Sequence, residues 1–411
     1  MAVYSISILQ LTALLTTFLV GFYALYYASM LIAAKNLGSR RLGHALKPRK
    51  ITVVVPTYNE AGNLRTKVAN LLAQTYPREL MELIVVDGAS TDGTVEIASV
   101  LTKELAGVVP IRVLQIEERK GKSYQMNLAL AAARGEIIIA TDADVVLDNG
   151  AISTLMSHFD DERVGAVSGK QSLVSAASSA KYSLETGYRG IYEVLRLGES
   201  NLHSTPIFHG GLCAYRATAV MPIREDLNAD DTQFALQAVR AGFRSLYEPD
   251  SVFYTVAPSG TKSNWSQRVR RGQGLVRTFY YNRDMIFNRR FQRFGLCIFP
   301  AEFFMHIISP ILTFLVSAMW LVSLATAGDN LPLPFSLALF ILALLIGTLT
   351  ILGKGKTPFR KRISVIPSFL AYQAALVIAI AMFALGKRLH IWEKVAVDSV
   401  AVAELHHERD P

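Results

Sequence analysis

Residues 5–34 include no charged side chain, and a run of that length has few places to go in a folded chain. About 20 apolar residues in a helix cross the hydrocarbon core of a bilayer, so residues 1–34 are expected to form an N-terminal transmembrane helix. A cleaved signal peptide would have a basic stretch ahead of a shorter apolar core, and neither is present. Mean hydropathy over the chain is +0.30, which excludes an ordinary soluble protein. Three further candidate spans fall at about 303–327, 333–352 and 363–385, within a membrane region expected over 299–390. Some 270 residues of mixed polarity lie between the first span and these.

The basic residues give an orientation. Lys35, Arg40, Arg41, Lys47, Arg49 and Lys50 follow the first span in a basic linker, 35–50, and Lys354, Lys356, Arg360, Lys361 and Arg362 separate the last two spans. By the positive-inside rule both stretches, and the large central region, face the cytoplasm of a multi-pass cell-membrane protein. The same count puts the tail at 391–411 outside although Lys387 and Arg388 precede it, so the last apolar stretch has a re-entrant alternative. The formal charge of +9 sits largely beside these segments, which makes a lipid bilayer its partner rather than nucleic acid. Two cysteines, Cys213 and Cys297, imply no disulfide framework.

The central region, 51–258, alternates short β-branched runs with helical patterns. ITVVVP, ELIVVD, IRVLQI and EIIIATD read as strands, with helices over about 61–74, from Thr91 to about 105, and over 123–133. Continuous apolar strands separated by helices predict an α/β domain with a mostly parallel, Rossmann-like sheet covered on both faces. Ligands bind such sheets beyond the carboxyl ends of the strands. Polar residues cluster there: Thr57, Tyr58, Asn59 and Glu60 after the first strand, Asp87, Thr91 and Asp92 after the second, Lys120 and Lys122 after the third, Asp142 and Asp144 after the fourth. Each could be a turn or a solvated loop by itself. Together they predict a nucleotide crevice.

No Gly-x-Gly-x-x-Gly follows the first strand, so the usual backbone cradle for phosphate is missing. Positions i and i+2 of an extended segment face the same way, so Asp142 and Asp144 can reach one hard cation, Mg²⁺ or Mn²⁺, that also takes diphosphate oxygens. Further on, LNADDTQF opens a helix with Asn228 as the expected N-cap and Asp230 and Asp231 in its first turn. Acids there favour the helix dipole, and one beside a substrate could equally accept a hydroxyl proton. Gly210 and Gly211, just upstream, permit close approach of an acceptor.

The ordered set of Thr-Tyr-Asn-Glu, VVDGAST-D, Lys-Gly-Lys, Asp-Ala-Asp, Gly-Gly and Asp-Asp-Thr resembles the family 2 inverting glycosyltransferases of the GT-A fold. More narrowly, it is similar to their membrane-embedded synthases of hyaluronan, chitin, chito-oligosaccharides, cellulose and poly-N-acetylglucosamine. That resemblance implies that Thr57, Tyr58, Glu60 and Asp87 hold the nucleoside and that Lys122 lies near the donor. It also implies that Asp142 and Asp144 serve donor and metal, and that Asp231 is the base, with Asp230 in the place of the family's usual Glu.

These synthases generally carry Gln-x-x-Arg-Trp on an interfacial helix. Here residues 259–298 hold Gln267, Arg270 and then Arg271 where Trp would stand. The three share a helical face, and Arg270 can pair with diphosphate. Trp265, Tyr280 or Tyr281 are the aromatic residues expected to replace the missing indole against acceptor sugar. From Lys262 to Arg293 nine basic residues face Asp284 alone, which also suits an interfacial anchor. The expected activity is therefore transfer from a nucleotide-sugar donor, a UDP-sugar by resemblance, to a carbohydrate that is extended as a polymer. Transfer of one sugar to a lipid-linked acceptor, polyprenyl phosphate or glycolipid, is the alternative, and a silent nucleotide-binding subunit a distant third. An oligomer is compatible with all three.

Overall fold

A computed structural model of the chain describes residues 8–36, 47–174, 180–256, 261–326 and 365–387. Helix α1 (Ile8–Asn36) precedes the α/β region. There β1 (Ile51–Thr57), β2 (Met81–Asp87), β3 (Ile111–Gln115) and β4 (Ile137–Ala140) alternate with α2 (Ala61–Leu72), α3 (Thr94–Glu104) and α4 (Lys122–Ala132). The four strands lie in the order β3-β2-β1-β4, all parallel. Every residue of β1 is buried, as expected of a strand with helices on both faces. Two apolar layers result. Val53, Val55, Leu83 and Ile139 pack with Leu64 and Leu71 of α2 on one side. Val54, Ile84 and Ile138 pack with Met126 and Ala129 of α4 on the other. Each such side chain contributes roughly 1.5–3 kcal/mol on leaving water.

The second half of the sheet departs from the mostly parallel expectation. It is built from β5 (Val146–Leu147), β6 (Val164–Val174), β7 (Cys213–Arg216) and β8 (Arg244–Val256), with α5 (Ala151–Ser157), α6 (Ala180–Leu202) and α7 (Asp230–Arg240) between them. β7 runs antiparallel to both β4 and β6, and β5 antiparallel to β8, while β6 and β8 are parallel. The eight-stranded sheet is thus mixed. β6 slips register against β8 between Ser168 and Lys170; a Cβ on Gly169 would lie 2.6 Å from the Ser251 carbonyl oxygen, so the irregularity needs glycine.

Helix α8 (Thr261–Tyr281) follows the sheet. Then α9 (Phe299–Phe303) and α10 (Ser309–Thr326) continue through two π-helical turns, Phe294–Ile298 and Phe304–Ile308. A final helix, α11, spans Val365–Ala384. Leu236 and Val239 of α7 join Phe279, Phe294 and Phe299 in one apolar seam that fixes α8–α10 to the sheet domain. Gly272 lets α8 close on α11, its Cβ position 3.3 Å from Leu376 and 3.5 Å from Ala379. Among the described residues, two helices are long and apolar enough to cross a membrane, Gln10–Lys35 and Phe294–Ser323. The second begins nine residues before the expected 303, because the apolar face of 294–302 is already helical. The expected span at 333–352 and the basic loop after it lie outside the described residues. At the far end of α11 the Gln273 side-chain amide donates to the Lys387 carbonyl oxygen (2.9 Å). Lys387 therefore lies beside α8, whose Arg277 bonds Asp226 of the sheet domain. The tail at 391–411, whose side the charge count addressed, lies outside the described residues.

Candidate active site

One cavity of about 430 Å³ opens at the carboxyl ends of β1, β2 and β4 and is closed by α7, α8 and α11. Thr57, Tyr58, Glu60, Lys122, Asp142, Asp144, Gly210, Gly211, Asp230, Asp231, Gln267, Arg270 and Arg271 all line it. The topology brings together nearly the whole set that the sequence suggested, from segments more than 200 residues apart.

Of the rim clusters, Asn59, Thr91, Asp92 and Lys120 stay outside the cavity wall, and so does Asp87. It is 2% exposed, and its carboxylate accepts from the Ser90 backbone N–H (2.9 Å), the Ser90 hydroxyl and the Thr57 hydroxyl (3.3 Å). Gly88, not Asp87, reaches the wall. Asp87 thus braces the rim loop on which Thr57 sits. The loops after β1 and β2 hold each other through further contacts: the Asn59 N–H donates to the Ser90 hydroxyl (2.8 Å) and the Thr91 N–H to the Asn59 side-chain oxygen (2.9 Å). Asn59 and Ala89 have φ of +55° and +64°, strained values that tend to collect where backbone is held for function. Over the rim the Arg119 guanidinium lies 3.7 Å from the Tyr58 ring centroid.

After β4 the chain does not stay extended as expected but turns at Ala143 and Asp144; Thr141, Ala143 and Val145 are buried, and the half-buried Asp142 and Asp144 line the cavity. Burial, then the charges of Asp142 and Glu60, push the Asp144 carboxyl up to about 7. Such a group gains from a nearby cation. Among the described residues, no three His, Cys, Asp or Glu side chains are grouped to hold a metal ion by themselves. Two carboxylates nevertheless fit Mg²⁺ or Mn²⁺, which commonly takes its other ligands from water and substrate phosphate.

Beneath this step lies a residue that the sequence did not reveal. Lys67 of α2 is 1% exposed, and its ammonium donates to the Thr141 hydroxyl (2.7 Å) and the Val145 carbonyl (3.0 Å), spanning the two acids from behind. The Thr141 hydroxyl in turn donates to the Gly211 carbonyl (2.7 Å). Burial brings the Lys67 amine down to about 7, against the pull of Asp142 and Asp144. In the sequence it is one lysine in an amphipathic helix, with nothing to distinguish it from a solvated one.

Across the cavity, α7 begins at Asp230, with Ala229 in the N-cap position and no side-chain cap. The expectation for Asn228 is therefore corrected: its amide donates to the Arg270 carbonyl oxygen instead (2.8 Å) and ties the start of α7 to α8. Lys122 stands between the two acid pairs, 2.7 Å from Asp142 and 3.4 Å from Asp230. Burial alone would lower its amine, but Asp142, Asp230 and Asp231 outweigh that and raise it. Asp231 is pushed up to about 7 by burial and then by Asp230, against Lys122 and Arg271. Gly210 must be small because its Cβ position is 3.0 Å from the Lys122 ammonium and 3.5 Å from the Asp231 carboxylate. Gly211 has a different reason: a Cβ there would lie 2.2 Å from the Phe253 ring.

The raised Asp231 value has a consequence for stability. A carboxyl whose folded value, near 7, exceeds its unfolded value, near 4, favours the folded state at low pH and loses that contribution as pH rises through 7. Asp231→Asn is expected to melt above the parent at pH 8, by on the order of 1 kcal/mol, with the gap vanishing by pH 4. Thermal unfolding in detergent across that range checks it.

From α8, Gln267, Arg270 and Arg271 reach the cavity on one helical face, joined by Arg268. Burial and then Arg271 lower the Arg270 guanidinium to about 10. The aromatic residues expected to stand in for Trp do not. Trp265, Tyr280 and Tyr281 are 38%, 39% and 36% exposed and absent from the wall, Tyr280 and Tyr281 being covered by Arg283 and Arg224. Tyr192 of α6 and Tyr372 of α11 line the cavity in their place.

A mixed α/β sheet whose acids converge on one nucleotide-sized cavity defines a glycosyltransferase domain of the GT-A fold. Residues 52–223 match the family model Glycosyl transferase family 2, and the chain carries that family's domain. Among curated proteins it is 23% identical over 256 residues to a poly-beta-1,6-N-acetyl-D-glucosamine synthase of Staphylococcus aureus, covering 61% of this chain and 60% of that one. It is 26% identical over 247 residues to an N-acetylglucosaminyltransferase of Azorhizobium caulinodans, covering 56% and 61%. The chain thus spans about 60% of the length of these curated relatives. Among solved structures it resembles the mannosyltransferase PcManGT from Pyrobaculum calidifontis in complex with GDP-Man and Mn²⁺, with a TM-score of 0.72, 28% identity, and coverage of 92% of this chain and 99% of that one.

Proposed function

We propose that the chain is a membrane-bound, divalent-metal-dependent inverting glycosyltransferase that moves a sugar from a nucleoside diphosphate donor to an acceptor hydroxyl. The observation that carries this reading is the placement of Asp142 and Asp144 and of Asp231 on facing walls of one cavity, with Lys122 between them. Thr57, Tyr58 and Glu60 hold the nucleoside, and Lys122 and Arg270 neutralise the diphosphate. Asp142 and Asp144 would hold Mg²⁺ or Mn²⁺, which when bound supplies Lewis-acid stabilisation of charge on the departing diphosphate. Asp230 is 8% exposed and engaged with Lys122. Asp231, with its affinity for protons raised toward neutrality, takes the acceptor's hydroxyl proton. The acceptor oxygen bonds to the anomeric carbon as the bond from that carbon to the diphosphate breaks, so one displacement inverts configuration.

Transfer of one sugar to a lipid-borne acceptor fits this site better than chain extension. The cavity runs on from the acids to α8 and α11, which belongs to the expected membrane region, and Arg271 occupies the place of the stacking Trp. The two apolar helices support a membrane location, and the basic residues that follow the first of them support a catalytic domain at the cytoplasmic surface. Extension of a polysaccharide is the second reading, favoured by the similarity to poly-N-acetylglucosamine synthases. The UDP-sugar expected from resemblance is joined by GDP-mannose, the ligand of the solved mannosyltransferase. Incubating the purified protein with labelled UDP- and GDP-sugars, Mn²⁺ or Mg²⁺, and a membrane lipid extract is expected to give a single lipid-linked species. A ladder of sizes assigns extension, and no transfer from any donor rejects the proposal.

A further inference from the structure

The cavity continues past the catalytic acids to residues of α6, α8 and α11. Arg270 and Arg271 of α8, Arg196 of α6 and Tyr372 of α11 all line it. Arg196, on α6, has no part in the transfer at Asp231. It is 5% exposed, lines the cavity, and its Nε has no hydrogen-bond partner among the described residues. Its guanidinium carbon lies 5.4 Å from the Tyr247 ring centroid. A buried cation with an unmet donor costs several kcal/mol unless a ligand or counter-charge completes it. Glu302 is within electrostatic reach, but no ion pair joins the two among the described residues.

The planar guanidinium matches phosphate geometry, and Arg271 and Tyr372 line the same cavity. This end of the cavity also abuts the helices of the membrane region. α6 is seated on α1, where a Cβ on Gly198 would lie 2.3 Å from the Met30 carbonyl oxygen and the Tyr26 hydroxyl donates to Glu199 (2.6 Å). Ser368 and Tyr372 of the apolar α11 form the opposite wall. A base at Asp231 is needed only for a neutral nucleophile, so a phosphate at Arg196 is an anchor and not the attacking group.

We propose that Arg196, with Arg271 and Tyr372, forms a subsite for the phosphate of a lipid-linked sugar acceptor, set apart from the donor diphosphate and holding the sugar hydroxyl toward Asp231. The inference rests on the transferase reading above. It is tested by binding of farnesyl phosphate, farnesol and inorganic phosphate to the full chain in detergent with chelator present, alongside nucleotide binding with Mn²⁺. Farnesyl phosphate is expected to bind more tightly than either control and to weaken at least tenfold in Arg196→Gln, with nucleotide affinity unchanged. Equal binding in parent and variant, equal binding of farnesol, or a parallel loss of nucleotide affinity overturns the subsite. Equal, Arg196-dependent binding of inorganic phosphate overturns its lipid source. Should Arg196→Gln fail to fold, Arg196→Lys keeps the charge without the fork and is expected to cost about fivefold; no change there also rejects it. A parent protein that binds farnesyl phosphate but no nucleotide instead removes the transferase reading.

Discussion

Asp231→Asn is expected to lower kcat by about 10²- to 10⁴-fold, the usual contribution of a positioned general base, while nucleotide affinity stays within twofold. The carboxylate faces the cavity in the first turn of α7, beside Gly210 and across Lys122 from Asp142. Burial and Asp230 raise its proton affinity to near neutrality, where a base combines availability with driving force. The parent rate should therefore climb with pH along a limb centred near 7, and the variant should lose that limb. Single-turnover assays with pre-bound donor measure it free of product release. Undiminished turnover assigns an already ionised acceptor such as polyprenyl phosphate and removes Asp231 from the role of base.

Replacing Asp142 and Asp144 together by Asn is expected to abolish transfer to the limit of detection and to weaken Mn²⁺-dependent nucleotide binding by about 100-fold or more, given the several kcal/mol that a Lewis-acid ion contributes. Lys67 enters the argument here. The loop holding both acids is pinned from behind by two hydrogen bonds from a buried ammonium, so its backbone should remain in place when the carboxylates are neutralised. The loss can then be read as a loss of charge, not of structure. Manganese binding by electron paramagnetic resonance and nucleotide binding by calorimetry separate the two. Chelator applied to the parent should reproduce the double variant; turnover indifferent to both would sink the scheme.

The first half of the sheet was legible because β1, β2 and β4 are short, β-branched and buried on both faces, a pattern with few other homes. Their ends named most of the rim residues directly. β7 and β8 were not legible. β7 is four residues long and pairs with strands on either side of it in space, and β8 contains Pro249 and spans two partners. Asn228 has the chemistry of an N-cap, and its amide was claimed by α8 through a contact 42 residues away. Asp87 could be placed at the rim but not behind it, since that depends on how the next loop folds over. Lys67 and Arg196 are distinguished only by what encloses them, and enclosure is a property of tertiary packing. The aromatic substitutes failed for the same reason: Tyr372, more than a hundred residues beyond Trp265, reaches the cavity through the docking of α11.

The hydrogen-bonded chain from Lys67 through Thr141 to the Gly211 carbonyl spans both walls of the cavity. Anyone redesigning this enzyme for a different sugar would be unable to graft residues 141–145 as a cassette. The graft has to bring its own occupant for position 67 and a compatible 209–211 turn, because one buried hydroxyl ties all three together.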